Sequence, residues 1–520
     1  MYKTIAKQIA SLLIILGGVM LVPCIVALIY EEWYALLGFA VSGIFTSSLG
    51  YFAHKLLNTA QEPQYQQSLI IAALGWLSII IVGAIPYFVI AQISPIATMQ
   101  EFIPAGVSYV ESSLLNFRNI LHCIFESTSA FTTTGLTMAY HEPSIGKSLL
   151  FYRSFSQWVG GAGFIVMALA VFKHIPGQSA ILLYGSEASG TKLKTNVIQT
   201  ARSIWKVYFI VTLIMFLYLT AGTLLILPEY PVGETLFDAI NHAMAGQSTG
   251  GFSTLDDSIA GYQSKRMEAL FLLPMLLGGL SIPFLYRFII LKKFSEVWND
   301  IQTRAILIAS VAGGILLSVL LMLEGEITDP IREGVFQFIS ALSTTGWQTS
   351  NIGGWGDLSI LFIIAGAMIV GGSAGGTVGG IKIIRALLLQ KGLRWHINKI
   401  FLSTNTIKSV RFNNRNLMPA QMNQELARAG IFTLIYLLFL LGSAMLTVYY
   451  MSTDFTLADA LFEAASAQGT VGLSTGITDP AMSPVLETVY ILQMWSGRIE
   501  IIPVLVLVRI LFYGTKSRKL

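Results

Sequence analysis

Four short segments repeat one pattern of residues suited to holding a cation stripped of its water. Each places an apolar residue ten positions before a glycine: Phe125, Ile240, Phe336 and Phe462 ahead of Gly135, Gly250, Gly346 and Gly472. Each also places an alanine five before it: Ala130, Ala245, Ala341 and Ala467. Hydroxyl residues fill the two preceding positions in three of them, as Thr133-Thr134, Ser248-Thr249 and Thr344-Thr345; the fourth has Thr470-Val471 and lacks the second hydroxyl. Such segments can replace an ion's hydration shell with uncharged backbone oxygen. Turning carbonyls toward one axis needs φ > 0 or very close chain approach, and glycine reaches both without steric cost. The glycines lie 115, 96 and 126 residues apart, a degenerate fourfold internal repeat. Glycines also cluster in ordinary loops, and 47 of 520 residues are glycine, but four matched registers argue against that plainer account.

A short helix must carry each segment. Its C-terminal end directs partial negative charge at the shared axis, and acids near the helix starts (Glu126, Glu234, Asp238, Glu333, Asp459 and Glu463) complement the other end. The surroundings are lipid. The chain is 54% hydrophobic and 12% charged, where soluble domains carry about 25% charged residues. Stretches of this length and apolarity span a bilayer. Ten are present, roughly 9–30, 33–53, 68–92, 148–172, 204–228, 268–291, 305–323, 358–389, 429–450 and 488–512. The first is too long for a signal-peptide core, lacks an A-x-A site and runs into Glu31-Glu32. Cys24 and Cys123 form neither a disulfide framework nor a metal-ligand spacing.

Charge sets the expected orientation. With the N-terminus inside and ten alternating spans, most Lys and Arg fall on the inner side, which places both termini in the cytoplasm. The outer side keeps Arg118, Lys147, Arg153, Lys265, Arg266 and Arg332 and most of the acids; Arg498 and Glu500 stay in the last span. An acidic outer vestibule raises local cation concentration, although each acid taken singly is also ordinary solvated loop charge.

The chain thus reads as an all-α integral membrane protein: four membrane–pore loop–membrane repeats around a central pore, preceded by two extra transmembrane helices. The expected divisions are 1–60 for the prefix, then 61–174, 175–293 and 294–390 for repeats 1 to 3. A basic loop and repeat 4 occupy 391–520. The pore segments are too short to cross, and irregular backbone at membrane depth survives only when buried in protein or lining water.

These units resemble the Trk/Ktr/HKT superfamily of potassium transporters over nearly the whole chain. Gln157-WVGGAG-Phe164 is similar to the family's second helix of the first repeat, Gly371-GSAGGTVGG-Ile381-Lys382 to the glycine-rich break in the third, and Trp495-SGRIEI-Ile501 to the last helix with its buried arginine. The two-span prefix fits the Trk branch of bacteria. The resemblance implies K⁺ uptake across the bacterial inner membrane, with K⁺ bound by backbone carbonyls and no cofactor. Glycine rather than serine at position 135 points to K⁺ over Na⁺. It further implies a homodimer in lipid, a cytosolic nucleotide-binding regulatory ring, for which the basic stretch 390–428 is the candidate contact, and no nucleic-acid partner. The doublet Gly250-Gly251 departs from the other repeats in a way the family also shows.

Two features suit a gate below the filter. Gly371, Gly372, Ser373, Gly375, Gly376, Gly379 and Gly380 interrupt an apolar span, and each glycine costs about 1 kcal/mol in a helix interior. The segment is therefore expected to leave the helix and, by resemblance, to plug the pore; a small-residue packing face is the alternative. Arg498 is expected to line the conduit as a barrier or to anchor that loop, since a charge in a span needs a cavity or partner. A structural salt bridge is its alternative, with Glu500 two residues away on another helix face.

An enzyme is not expected. G-x-S-x-G occurs at Gly246–Gly250, Gly371–Gly375 and Gly472–Gly476, but without the strand–turn–helix setting of a nucleophile elbow. Of the six histidines only His242 nears a filter segment, where a core or capping role fits best. The competing transport readings are a Na⁺ or poorly selective monovalent cation path, a symporter coupled to H⁺ or Na⁺, and a rocking transporter. The last typically has two inverted halves rather than four units entering from one side.

Overall fold

In lipid every backbone polar group needs a partner within its own segment, so long apolar runs become helices. The computed structural model describes residues 2–57, 63–172, 197–325, 327–356, 358–401, 409–413 and 415–514. Among them, six helices are long and apolar enough to cross a membrane: Tyr2–Ile29, Trp33–Leu56, Gln66–Ile93, Ala201–Ile226, Ile301–Glu324 and Pro419–Tyr450. The first two are the prefix. The third opens repeat 1, which continues through a short helix, Ile120–Phe131, and a 26-residue helix, Lys147–Phe172.

The other three repeats follow the same order, each with a long helix, a short one and a second long element. The short helices are Val232–Gln247, Pro330–Ser343 and Leu457–Gly469. Their starts are set locally. Asn119 accepts a hydrogen bond from the Leu121 amide, Thr456 and Asp459 form a capping box, and Pro330 sits in a first turn where its missing N–H costs nothing.

The second long elements of repeats 2 and 4 depart from the sequence expectation of continuous spans. In repeat 2, Lys265–Gly278 and Ile282–Ile290 meet at 101°, and in repeat 4, Pro484–Arg498 and Ile502–Tyr513 meet at 113°. In repeat 3 the helix stops at Val370 and restarts at Ile383, so 371–382 is irregular backbone, as its glycines predict. Among the described residues, only the first repeat keeps an unbroken second helix.

The buried core runs around the molecule, not through one centre. One cluster joins the prefix and repeat 1 to repeat 4 through Phe39, Phe125, Tyr152, Tyr490 and Met494. Another joins repeats 2 and 3 through Phe271, Met275, Phe336 and Trp347, and a third joins repeats 3 and 4 through Leu342, Met368, Phe462 and Val471.

Candidate functional site

All four short helices end in the same way. A threonine just past the last turn takes the left-handed conformation: Thr133, Thr249, Thr344 and Thr470, with φ between 51° and 57°. A β-branched residue seldom adopts this conformation, so the strain is held by the fold around it. The amides of Thr134, Gly250, Thr345 and Val471 then donate back to the carbonyls of Ser129, Ala245, Ser340 and Ser466 at 2.8, 2.8, 3.0 and 2.9 Å. The following residue is a positive-φ glycine in each case: Gly135, Gly251, Gly346 and Gly472.

The second member is therefore Gly251, one residue later than the sequence register, and Gly250 takes the place held elsewhere by Thr134, Thr345 and Val471. In the doublet both glycines satisfy the composition pattern, and only backbone conformation separates them. Of the residues proposed from sequence, Ser248 and Thr249 shift by one with it; Thr133, Thr134, Gly135, Thr344, Thr345, Gly346, Thr470, Val471 and Gly472 keep their register.

These glycines form a closed ring. A Cβ on Gly135 would come within 2.5 Å of the Gly250 carbonyl oxygen. One on Gly251 would overlap the Thr345 carbonyl, one on Gly346 that of Val471, and one on Gly472 that of Thr134. Each ring glycine thus abuts the carbonyl preceding the glycine of the next repeat, in the order 1–2–3–4–1. Glycine is required here by close approach as well as by φ.

Nine positions before each ring glycine, a buried polar side chain ties its short helix to the chain beyond the glycine. Glu126 accepts from the Met138 amide at 2.8 Å and from Arg153 at 2.7 Å, and Glu463 accepts from the Thr475 amide at 2.9 Å. His242 lies 3.1 Å from the Ser253 hydroxyl, and Gln337 donates to Thr349 at 3.3 Å. Arg153, an outer charge by sequence, is fully buried against Glu126. His242 has the structural role expected of it.

On this side of the ring, Tyr109 donates to Asp256 at 3.1 Å and stacks on His141 with ring centroids 3.6 Å apart. Glu142 opens the turn beside them. Burial pushes its carboxyl up to about 8, with nearby Arg153 opposing and Asp256 and Glu126 adding to the rise.

Beneath the ring lies the irregular segment of repeat 3, buried throughout. The Thr377 hydroxyl meets that of Thr249 at 3.0 Å. A Cβ on Gly379 would overlap the Gly469 carbonyl, and one on Gly371 would reach Thr344. The bend in repeat 2 receives the segment through Ser373 N–H to Gly279 O at 3.0 Å and Ile282 N–H to Gly375 O at 3.1 Å. Gln302 accepts from the Ala374 amide at 2.8 Å.

The bend in repeat 4 holds it from the other side. Arg498 donates to the Thr377 carbonyl, and to Gly160 and Gly161 carbonyls of the unbroken helix at 3.2 and 3.4 Å. Glu500 pairs with Lys382 and Arg385, each at 2.5 Å. Its partners are cations that sequence spacing did not suggest, because they come from a different repeat. Gly372, Gly375, Gly376 and Gly380 complete the segment, three of its glycines (Gly371, Gly375 and Gly380) with positive φ. Of the basic stretch 390–428, Lys391, Arg394 and Lys399 lie on the helix Ile383–Ile400, and Arg411 and Arg415 on a two-stranded hairpin; Lys408 lies outside the described residues.

Four helix–short helix–helix units closed in one ring define a multi-pass membrane protein built on a fourfold repeat around a central pore. The chain belongs to the TrkH family of cation transport proteins, whose model matches residues 67–519. It is 31% identical over 519 residues to an uncharacterized cation transporter of Methanocaldococcus jannaschii, covering 98% of this chain and 97% of that one. It is 27% identical over 519 residues to the Trk system potassium uptake protein TrkH of Escherichia coli K12, covering 97% and 98%. In fold it matches the crystal structure of the potassium transporter TrkH from Vibrio parahaemolyticus with a TM-score of 0.80, covering 99% and 100% of the two chains at 22% identity. The family is one of transporters, not of enzymes.

Proposed function

We propose that the chain carries K⁺ into a bacterial cell across the inner membrane, through a filter of backbone carbonyls at the glycine ring. The observation that carries this reading is the ring itself: Gly135, Gly251, Gly346 and Gly472, each pressed on a neighbour's carbonyl. It supplies rigid, uncharged oxygen from four directions, which suits a monovalent cation better than a divalent one. Ions enter from an acidic outer vestibule and lose water at the ring. They then meet the segment 371–382 and leave on the basic side, where both termini lie. Membrane potential drives them, worth about 2.3 kcal/mol per charge per 100 mV. The segment with Arg498 is the gate.

The E. coli relative is named a potassium uptake protein of the Trk system. On that likeness the assembly is a homodimer in lipid, with a cytosolic nucleotide-binding regulatory ring seated on the basic face. Charge reversal of Lys391, Arg394 and Lys399 together is expected to release that ring; retention at physiological salt argues against this contact.

The deciding experiment is rubidium tracer uptake into proteoliposomes under an imposed potential, with the regulatory partner present, comparing the wild type with Gly135→Ser. Uptake blocked by excess K⁺ but not Na⁺, with Na⁺ competing better in the variant, supports a K⁺ filter. Robust Na⁺ flux in the wild type makes the chain a poorly selective cation path. Flux that saturates and reverses with an imposed H⁺ or Na⁺ gradient makes it a symporter.

A further inference from the structure

The second repeat departs from the others at the ring in two places. Six positions before the ring glycine, repeats 1, 3 and 4 carry Ser129, Ser340 and Ser466, and repeat 2 carries Ala245. The hydroxyls of Ser129 and Ser466 accept from the amides of Gly135 and Gly472 at 2.9 and 3.0 Å, and that of Ser340 donates to the Trp347 carbonyl at 2.7 Å. Alanine offers no such brace. One position before the ring glycine, Thr134, Thr345 and Val471 have side chains, and Gly250 has none.

Gln157 fills both gaps. It projects from the unbroken helix Lys147–Phe172 and is fully buried. Its Nε2 donates to the Gly250 carbonyl at 2.5 Å, and its Oε1 accepts from the Phe252 amide at 3.3 Å. A Cβ on Gly250 would collide with this carboxamide. The bonds bracket Gly251 on both sides. The Gly250 oxygen is also the one that Gly135 abuts across the junction of repeats 1 and 2.

We propose that Gln157 is a specificity-determining residue: its carboxamide replaces the missing hydroxyl of repeat 2 and fixes the direction and field of one ring carbonyl. Selectivity between monovalent cations depends on how many carbonyl dipoles reach the ion and how rigidly they are held. Without the carboxamide, the Gly250 carbonyl is free to turn, and the filter segment loses the bond that ties Phe252 to the unbroken helix. The site then contracts more readily around a smaller ion. This inference rests on the reading of the ring as a K⁺ filter.

The test is Gln157→Leu, assayed by K⁺-blocked rubidium uptake with Na⁺ as competitor, beside Gln157→Leu/Ala245→Ser. Loss of one charge-free hydrogen bond to a filter carbonyl is expected to improve Na⁺ competition about tenfold. It should raise the KM for rubidium more than it lowers the maximal rate. Restoring a hydroxyl at position 245 should recover part of the discrimination, which a merely structural defect would not do. Wild-type selectivity in Gln157→Leu overturns the inference while leaving the filter reading intact. If that variant does not purify folded, Gln157→Met keeps the length of the side chain but has no donor, and unchanged selectivity there overturns it equally. Absence of K⁺-blocked uptake in the wild type, regulatory partner included, removes the filter reading and this inference together.

Discussion

Arg498 donates to the carbonyl of Thr377, and the hydroxyl of the same threonine lies 3.0 Å from Thr249 in the ring-bearing strand above. One residue of the irregular segment is thus held at its backbone by the last repeat and at its side chain by the second. A charged donor to a carbonyl is worth about 1.5–3 kcal/mol, enough to shift a loop equilibrium tenfold or more. Arg498→Ala is expected to raise rubidium leak by at least that factor when no activating partner is present. Unchanged leak in a folded variant defeats the gate assignment.

Glu500 compensates Lys382 and Arg385 across two repeats. Removing one partner of a buried ion group leaves charge without compensation, at a cost of about 3–5 kcal/mol. Glu500→Gln should lower the melting temperature in detergent markedly, and adding Lys382→Met should restore part of the loss. A neutral single variant, or a double variant that is simply additive, removes the coupling.

The ring position of repeat 2 is open to direct comparison. Gly251→Ala adds a Cβ against the Thr345 carbonyl at φ 77°, and is expected to abolish uptake. Gly250→Ala displaces only the end of Gln157, so it should retain flux with weakened discrimination. The reverse order of severity returns the ring to Gly250.

Glu142 carries a carboxyl pushed up to about 8, chiefly by burial. It is mostly neutral at pH 7 and ionises as the pH rises through 8, adding negative charge beside Asp256. At low ionic strength, uptake at subsaturating rubidium should therefore increase between external pH 7 and 9. Glu142→Gln should flatten that rise, and high salt should suppress it. A wild-type profile kept by the variant assigns the rise elsewhere.

Much of this architecture was legible because membrane helices announce themselves by length and apolarity, and a strained turn announces itself by glycine. The break at 371–382 was plain for that reason. The bends after Gly278 and Arg498 were not: each is made by three residues between apolar helices, and composition does not register an angle. The register of repeat 2 misled because Ala245 and Gly250 reproduce the alanine-to-glycine spacing of the other repeats one residue early. Arg153 with Glu126, and Glu500 with Lys382, are pairs between distant segments, which periodicity within one segment cannot expose. The polar position nine before each ring glycine did not show as one feature, since it is Glu126 and Glu463 in repeats 1 and 4 but His242 and Gln337 in repeats 2 and 3.

The contact between Gly472 and the Thr134 carbonyl joins the last repeat to the first. During synthesis the first three ring segments can enter the bilayer in order, yet the circle stays open until the ribosome has delivered the fourth. A nascent or truncated chain therefore lacks the closed ring that the proposed ion path needs. Arg498 follows only 26 residues after Gly472, so on the proposed reading the ion path and its gate are completed almost together, with little of the chain made in between.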